Sequence, residues 1–577
     1  MLRCPAMGTN ARTGLSRGVL LCLVAAVGCD CDETSHDTGN DAGTASGQDS
    51  GSSADSGTIA NECRPGAQTC ANGQATFCRA DGTLTRYECD PVQGMTCTAT
   101  GCRGACDLGE VVDSYIGCDY YPTVTLNSVW SSFSFAVAVS NTSTVSTHVT
   151  ITRGSNIVQQ ADVAPNQLQT FNLPWVAELK GGDITCTMPP AAGASRVVAA
   201  GAYRVRTDRP VTVYQFSPLE YELKPAPATC PTIKAQCADS IVDSCFSYSN
   251  DASLLLPATA LTGNYTVLSW PSQPQGSGFI AITATQDATQ VQVFGAGSFA
   301  AGGGVDAAGK GTLMLDRGGV LELVGGKDGD ISGTRIRANK PVQVISGHSC
   351  ANVPADKGFC DHLEDVVFPE DTLGKDYVVV RPLYADGLTP TPYLVRVAAI
   401  ANDTHVSFDP KIRDDLTLQA GAFAELLVDG SAPSHLRVVA DKSVLVAEYM
   451  VGEEALPPTI RNYIGDPSLA TAVPVEQYRD SYLFTAPITY AVNLAAVIAK
   501  RGASVKVDGK TIAASEFVAV GSSEYGVATV ILDANTAVHS VTADQKVGLT
   551  VYGYGQHTSY MYPGGADLLR ITLPIPI

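Results

Sequence analysis

YRVRTDRPVTVYQF, residues 203–216, alternates apolar and polar side chains on both sides of an Asp-Arg-Pro corner. A period of two is the mark of a half-buried strand, so the stretch reads as strand, tight corner, strand. Asp208 suits the corner because its side chain tolerates left-handed or Asx-turn geometry. Pro210 begins the outgoing strand, where a missing N–H does least harm. The phrase returns as TRIRANKPVQVISG (334–347), LRVVADKSVLVAEY (436–449) and HSVTADQKVGLTVY (539–552). Asn339, Asp441 and Asp544 take the place of Asp208, and Pro341 that of Pro210. Val211, Val342, Val444 and Val547 then align at spacings of 131, 102 and 103 residues, the first lengthened by the Cys230–Cys245 insertion. Units of about 100 residues suit β-sandwiches, each with its own core, whereas propeller blades run nearer 40–50 residues.

Outward from these corners the chain keeps the same character. FSFAVAV (133–139), HVTI (148–151), QVQVF (290–294), PYLVRVAAI (392–400) and SYLF (481–484) are strand-like runs bounded by turn formers, and helical periodicity is nearly absent. Low charge (16%) with plentiful Gly (55) and Pro (32) favours short strands and turns. The expected fold class is all-β: tandem β-sandwich-like repeats preceded by a small disulfide-rich module. The repeats fill 119–577 as four units, roughly 119–224, 250–349, 363–452 and 470–577.

Apart from Cys4, Cys22, Cys29 and Cys31, the cysteines fall into even groups. Eight (Cys63, Cys70, Cys78, Cys89, Cys97, Cys102, Cys106 and Cys118) mark a module over 62–118 too poor in apolar residues to hold itself by a core. Four follow (Cys186, Cys230, Cys237 and Cys245), then two (Cys350 and Cys360). Even local groups point to disulfides made in an oxidising compartment, with pairing inside the larger groups left open. The C-x₄-C spacing of Cys97 and Cys102 is a loose zinc spacing, and bridging is the preferred reading.

Residues 1–28 carry basic Arg12 and Arg17, then a short apolar run, GVLLCLVAAV, then Ala26-Val27-Gly28-Cys29. The run is too short to span a bilayer. The small residues before Cys29 resemble a bacterial lipobox, with Ala26 in place of the usual Leu. Cys29 is therefore the expected lipidation site. Residues 29–61, rich in Asp, Gly and Ser, form a flexible tether. The membrane is contacted through the lipid alone, on the outer membrane or cell surface. Asp30, which resembles an inner-membrane retention signal, keeps a periplasm-facing alternative open.

Catalytic and cofactor signals are weak. A net charge of −20 repels nucleic acid. Gly347-His348-Ser349-Cys350-Ala351 lacks the last Gly of a nucleophile elbow and any following helix. His348, Cys350, Cys360 and His362 have a metal-like spacing, but a Cys350–Cys360 bridge with the histidines at its rim is preferred. The carboxylates Asp361, Glu364, Asp365, Glu370 and Asp371 lack calcium-loop spacing and read as a solvated surface loop. His36, His148, His405, His435, His539 and His557 read as surface residues, and Trp130, Trp175 and Trp270 as core anchors. Neither catalytic residues nor cofactor nor metal are expected.

Four stretches resemble the N-terminal domain family of IgG Fc-binding proteins: AYRVRTDRPVTVYQFSPL (202–219), SNDASLLLPATALTGNYTVLSWP (249–271), SGHSCANVPADKGFCDHLEDVVFPEDTLGKDYVV (346–379) and GDPSLATAVPVEQYRDSYLFTAP (465–487). The resemblance covers most of 119–577 and implies a non-enzymatic extracellular binding or adhesion role toward an unknown protein or glycan. It does not imply that immunoglobulin is bound. A structural stalk without a ligand is the alternative. Exposed aromatics on one face would favour binding.

Overall fold

A computed structural model describes residues 63–184, 192–224, 246–429 and 435–572. Ten strands carry the architecture: β1 (Tyr203–Phe216), β2 (Ala252–Leu254), β3 (Arg335–Ala338), β4 (Val342–Ala351), β5 (Asp361–Val366), β6 (Leu436–Ala440), β7 (Val444–Met450), β8 (Ser468–Thr471), β9 (Val538–Gly555) and β10 (Thr558–Pro563). The corner phrases form β1, β3 with β4, β6 with β7, and β9. Each joins two sheets that face one another.

In the first unit the N-terminal half of β1 lies between Gly117–Tyr120 and Thr147–Arg153, and its C-terminal half between Phe135–Asn141 and β2. Three more units repeat the scheme. The second has Asn264–Thr266, β3, Thr289–Phe294 and Lys310–Leu315 in one sheet, with Val320–Val324, Gly278–Ala284, β4 and β5 in the other. The third has Asp376–Val379, β6, Thr404–Asp409 and Leu416–Leu418 opposite Phe423–Val428, Tyr393–Ala399, β7 and β8. In the fourth, β9 runs unbroken through both sheets and ends against β10.

The corners differ from the expected turns. β1 and β9 pass straight through theirs as strands of 14 and 18 residues, and none of the four Asx residues has a positive φ. Instead each Oδ1 crosses to the neighbouring strand. Asp208 accepts the His148 N–H at 2.8 Å, Asn339 that of Gln290 at 2.8 Å, Asp441 that of His405 at 2.8 Å, and Asp544 that of Ser504 at 2.9 Å. The chain bends where it changes sheet, and the side-chain oxygen pairs a neighbour's N–H there.

A tyrosine completes each corner. The hydroxyls of Tyr120, Tyr265 and Tyr377 donate to the carbonyls of Val211, Val342 and Val444 at 2.6 Å each, and Tyr482 does the same to Val547. All four tyrosines and valines are buried. The valines are those that align in the sequence repeat.

The last strand of each unit faces a common axis. β2 packs on β5 and β10, β5 on β8, and β8 on β10, so the circuit of four closes. Two segments far apart in the sequence seal it: Ser114 bridges Asp567, and the Tyr115 and Leu568 N–H groups donate to Ala566 and Asp113. Four disulfides staple the leading module: Cys63–Cys78, Cys70–Cys97, Cys89–Cys102 and Cys106–Cys118. Asp90 fixes it to Arg206 of the first unit at 3.0 Å, and Glu88 to Arg317 of the second at 2.8 Å. Cys29, the flanking segments 1–28 and 29–61, and Cys186, Cys230, Cys237 and Cys245 lie outside the described residues.

Candidate functional site

Four loops carry the chain from the corner strands into the axial strands, and they meet at one end of the ring. Their described residues are 217–224 with 246–251, 352–360, 451–467 and 556–557. Each holds one aromatic ring on left-handed backbone: Tyr248 (φ 52°), Phe359 (φ 68°), Tyr463 (φ 64°) and His557 (φ 62°). Such backbone is rare for bulky residues, costs about 1–3 kcal/mol, and persists where the surroundings impose it. Phe359 is 43% exposed and Tyr463 56%, while Tyr248 and His557 are half-buried.

Three of the rings form a crown, with Phe359 on the adjoining loop. His557 lies 4.9 Å from Tyr248 and 5.5 Å from Tyr463, centroid to centroid, and Phe246 stands edge-on to it at 5.8 Å. The loops are tied together by backbone: the His557 N–H donates to the Tyr463 carbonyl at 2.9 Å and the Gly452 N–H to that of Val353 at 2.8 Å. Leu388 (80% exposed) and Ile488 (55%) flank the crown. They precede Tyr393–Ala399 and Val492–Lys500, strands whose first residues pair with Met450 and Tyr554 at this same end.

Beneath the crown sits a carboxylate hub, which overturns the expected surface loop. Asp361, Glu364 and Glu370 are fully buried, and Asp365 and Asp371 nearly so. Glu370 pairs with the Arg337 guanidinium at 2.9 Å, and Glu364 accepts from the Gln215 amide at 2.9 Å and the Thr125 hydroxyl at 2.6 Å. Asp251, on the approach to β2, accepts the N–H groups of Ala252, Glu364, Leu469 and Met561 and the Ser468 hydroxyl, so one carboxyl touches all three other axial strands. Asp361 accepts from Asn250, His362, Thr558 and Ser559. Burial pushes Asp251, Asp361, Asp365 and Asp466 well above the usual carboxylate range, opposed in each case by hydrogen bonds that favour the charged form. In Asp466 the nearby Asp361 adds to the rise. The hub fixes the axial strands and thereby the loops above them.

Cys350 and Cys360 are joined by a disulfide with Cα atoms 5.1 Å apart, bracing the loop that presents Phe359. His348 and His362 do not stand at a rim: both are fully buried. Burial, and then His362, lower His348 to about 3, and its Nδ1 accepts the Cys350 N–H. His435 and His539 are also buried rather than superficial. His435 is lowered to about 4 by burial, then by Arg381, whose N–H it accepts. His148 and His405 are exposed, and His36 lies outside the described residues. The Gly347–Ala351 stretch runs inside β4, without the strand-to-helix turn of a nucleophile elbow. Trp130 and Trp270 are buried, and the half-buried Trp175 donates to the Phe133 carbonyl.

The crown aromatics escaped the sequence reading because no local pattern marks a left-handed residue that is not glycine. A partial signal exists: Tyr248, Phe359 and Tyr463 each precede a hub aspartate by two or three residues.

Two comparisons bear on this architecture. A sequence model of the family described as IgGFc binding protein matches residues 251–553, from the hub aspartate Asp251 into β9. The human IgGFc-binding protein is 28% identical over 235 residues, which is 40% of this chain and 4% of that relative's length. The family match covers more than half of the 577 residues and includes three of the four axial strands and three of the four corners, and the chain therefore belongs to the IgGFc-binding protein family.

Proposed function

We propose that this chain is a non-enzymatic binding protein of the cell exterior, held to the membrane by a lipid on Cys29, that grips a protein partner with its aromatic crown. One observation carries the reading. Four equivalent loops each spend backbone strain to present a ring at the same end of the molecule, where Phe359, Leu388, Tyr463 and Ile488 stay in solvent. Strain repeated at equivalent places and exposed apolar side chains gathered on one surface both mark contact sites. The disulfides fit an oxidising, exported setting. The family relative is named for the Fc region of immunoglobulin G, which makes an Fc fragment the first partner to try. A ligandless stalk has no use for such a surface.

Full-length chain displayed on cells tests the reading in two steps. Protease added to intact cells should remove the natural protein, while Cys29→Ala should release it. Survival until the outer membrane is opened would sink the exterior placement. Binding of purified Fc fragment should then be lost in Phe359→Ser and Tyr463→Ser and kept in Ile157→Ser, on a strand edge of the first unit. Equal binding by all three would remove the crown as the contact surface, and no binding by the natural chain would exclude immunoglobulin.

A further inference from the structure

The leading module does not lie flush on the ring. Between it and the first two units is a cavity of about 260 Å³, reached by the C-terminal segment through Arg570. Five cationic side chains line it (Arg86, Arg204, Arg317, Lys340 and Arg570) against three carboxylates, Glu88, Asp119 and Asp287. That excess is unusual in a chain whose net charge is −20.

The carboxylates are already engaged. Asp119 holds Arg204 with both oxygens at 2.8 Å, Glu88 pairs with Arg317 at 2.8 Å, and Asp287 accepts the Arg317 backbone N–H at 3.1 Å. Three cations remain. Lys340 reaches only the Asp287 backbone carbonyl, at 2.5 Å. Arg86 and Arg570 make no hydrogen bond or ion pair among the described residues. The Nε atoms of Arg570 and Arg317 are buried with no hydrogen-bond acceptor. A buried guanidinium N–H without a partner is costly and demands an explanation. Arg79, behind this wall, is lowered to about 10 by burial and then by the charge of Arg570, against the opposing pull of Asp113 and Asp81.

We propose that this cavity binds a small tetrahedral oxyanion, phosphate or sulfate, free or as an ester on a sugar. A net excess of two positive charges around a partly closed space matches a doubly charged group with several acceptor oxygens. Guanidinium forks and an ammonium are the donors that such groups take. Walls of Tyr87, Met95 and Leu261 on the remaining sides leave room for the body of a small ester rather than a polymer. The site is independent of the crown. The anion would also tie the module to the ring, since its donors come from the module (Arg86), the second unit (Lys340) and the C-terminal segment (Arg570).

Calorimetric titration of the full-length chain, with ionic strength held constant by chloride, tests the site. Inorganic phosphate, inorganic sulfate, glucose 6-phosphate and glucose 6-sulfate are the probes. Saturable binding of one anion per chain is expected. Esters that bind more tightly than the free anions identify a sugar-borne group, and equal affinities identify a free anion. Lys340→Ala and Arg570→Ala should each weaken binding about tenfold, as the loss of one charge-assisted contact predicts. Arg86→Ala, on an exposed strand position, does the same without threatening the fold, and Lys506→Ala on the fourth unit leaves affinity unchanged. The proposal fails if no probe binds saturably, or if binding survives undiminished in Arg86→Ala and Lys340→Ala.

Discussion

At Tyr463 the cost of the crown can be measured directly. The ring is more exposed than buried, so its removal forfeits little packing, while φ of 64° suits glycine or asparagine better than tyrosine. Tyr463→Asn and Tyr463→Gly should therefore leave stability unchanged or raise it by about 1 kcal/mol, while partner binding falls. A clear loss in chemical denaturation would mean that Tyr463 serves the fold instead. Single buried acids offer a second test. Glu322 and Glu448 are both fully buried, and burial raises each from 4.5 to about 8. A folded-state pKa above the unfolded one gives stability that is complete below about pH 4.5 and fades as pH climbs toward 8. Glu448→Gln should thus lose less stability than the natural chain between about pH 5 and pH 8.5, read as melting temperature. His348 and His435 act in the opposite sense. Their depressed values of about 3 and 4 give stability that is present above the ordinary histidine pKa and is lost on acidification.

The element most legible in the sequence is the corner, and its misreading is instructive. Alternation located both strands of all four phrases, and the Asx position was visible. A one-dimensional pattern cannot show that Asp208 and Asp544 lie inside continuous strands, nor that each Oδ1 serves another strand's N–H. The tyrosine that completes the corner was also in view, since Pro257, Pro369 and Pro474 are each followed eight residues later by Tyr265, Tyr377 and Tyr482. What it bonds was not, because Val444 lies 67 residues beyond Tyr377. Tyr377→Phe removes that hydrogen bond and leaves the buried Val444 carbonyl unsatisfied. A loss of about 1–3 kcal/mol is expected in denaturant unfolding. No measurable loss would show the bond to be incidental. The acid run at 361–371 was misread for a related reason. Carboxylates are usually in solvent, and the donors that let these five be buried come from segments far along the chain, such as Thr558 and Thr471.

At the scale of the whole molecule, Asp251 is where the four units are joined. Its five donors belong to every axial strand, so Asp251→Ala strands several buried N–H groups at once. The expected cost is at least about 3 kcal/mol, larger than for any single corner, with Asp251→Asn intermediate. Equal effects for the two substitutions would argue against the hub as the unifying element. The four-fold repeat was legible from the aligned valines. Its closure into a circuit was not, because closure rests on β10 meeting β2 and on 566–568 meeting 113–115.

That seam sets an order of events. The strand edge at Asp113–Tyr115 precedes its partner at Ala566–Leu568 by about 450 residues, so the edge stays unpaired until the units between them have been made. An open edge is a template for the wrong strand. A neighbouring copy's 566–568 carries the same complementary sequence, so crowded folding would trade closed rings for linked ones. Dilution during folding is the condition under which 113–115 meets the 566–568 of its own chain first.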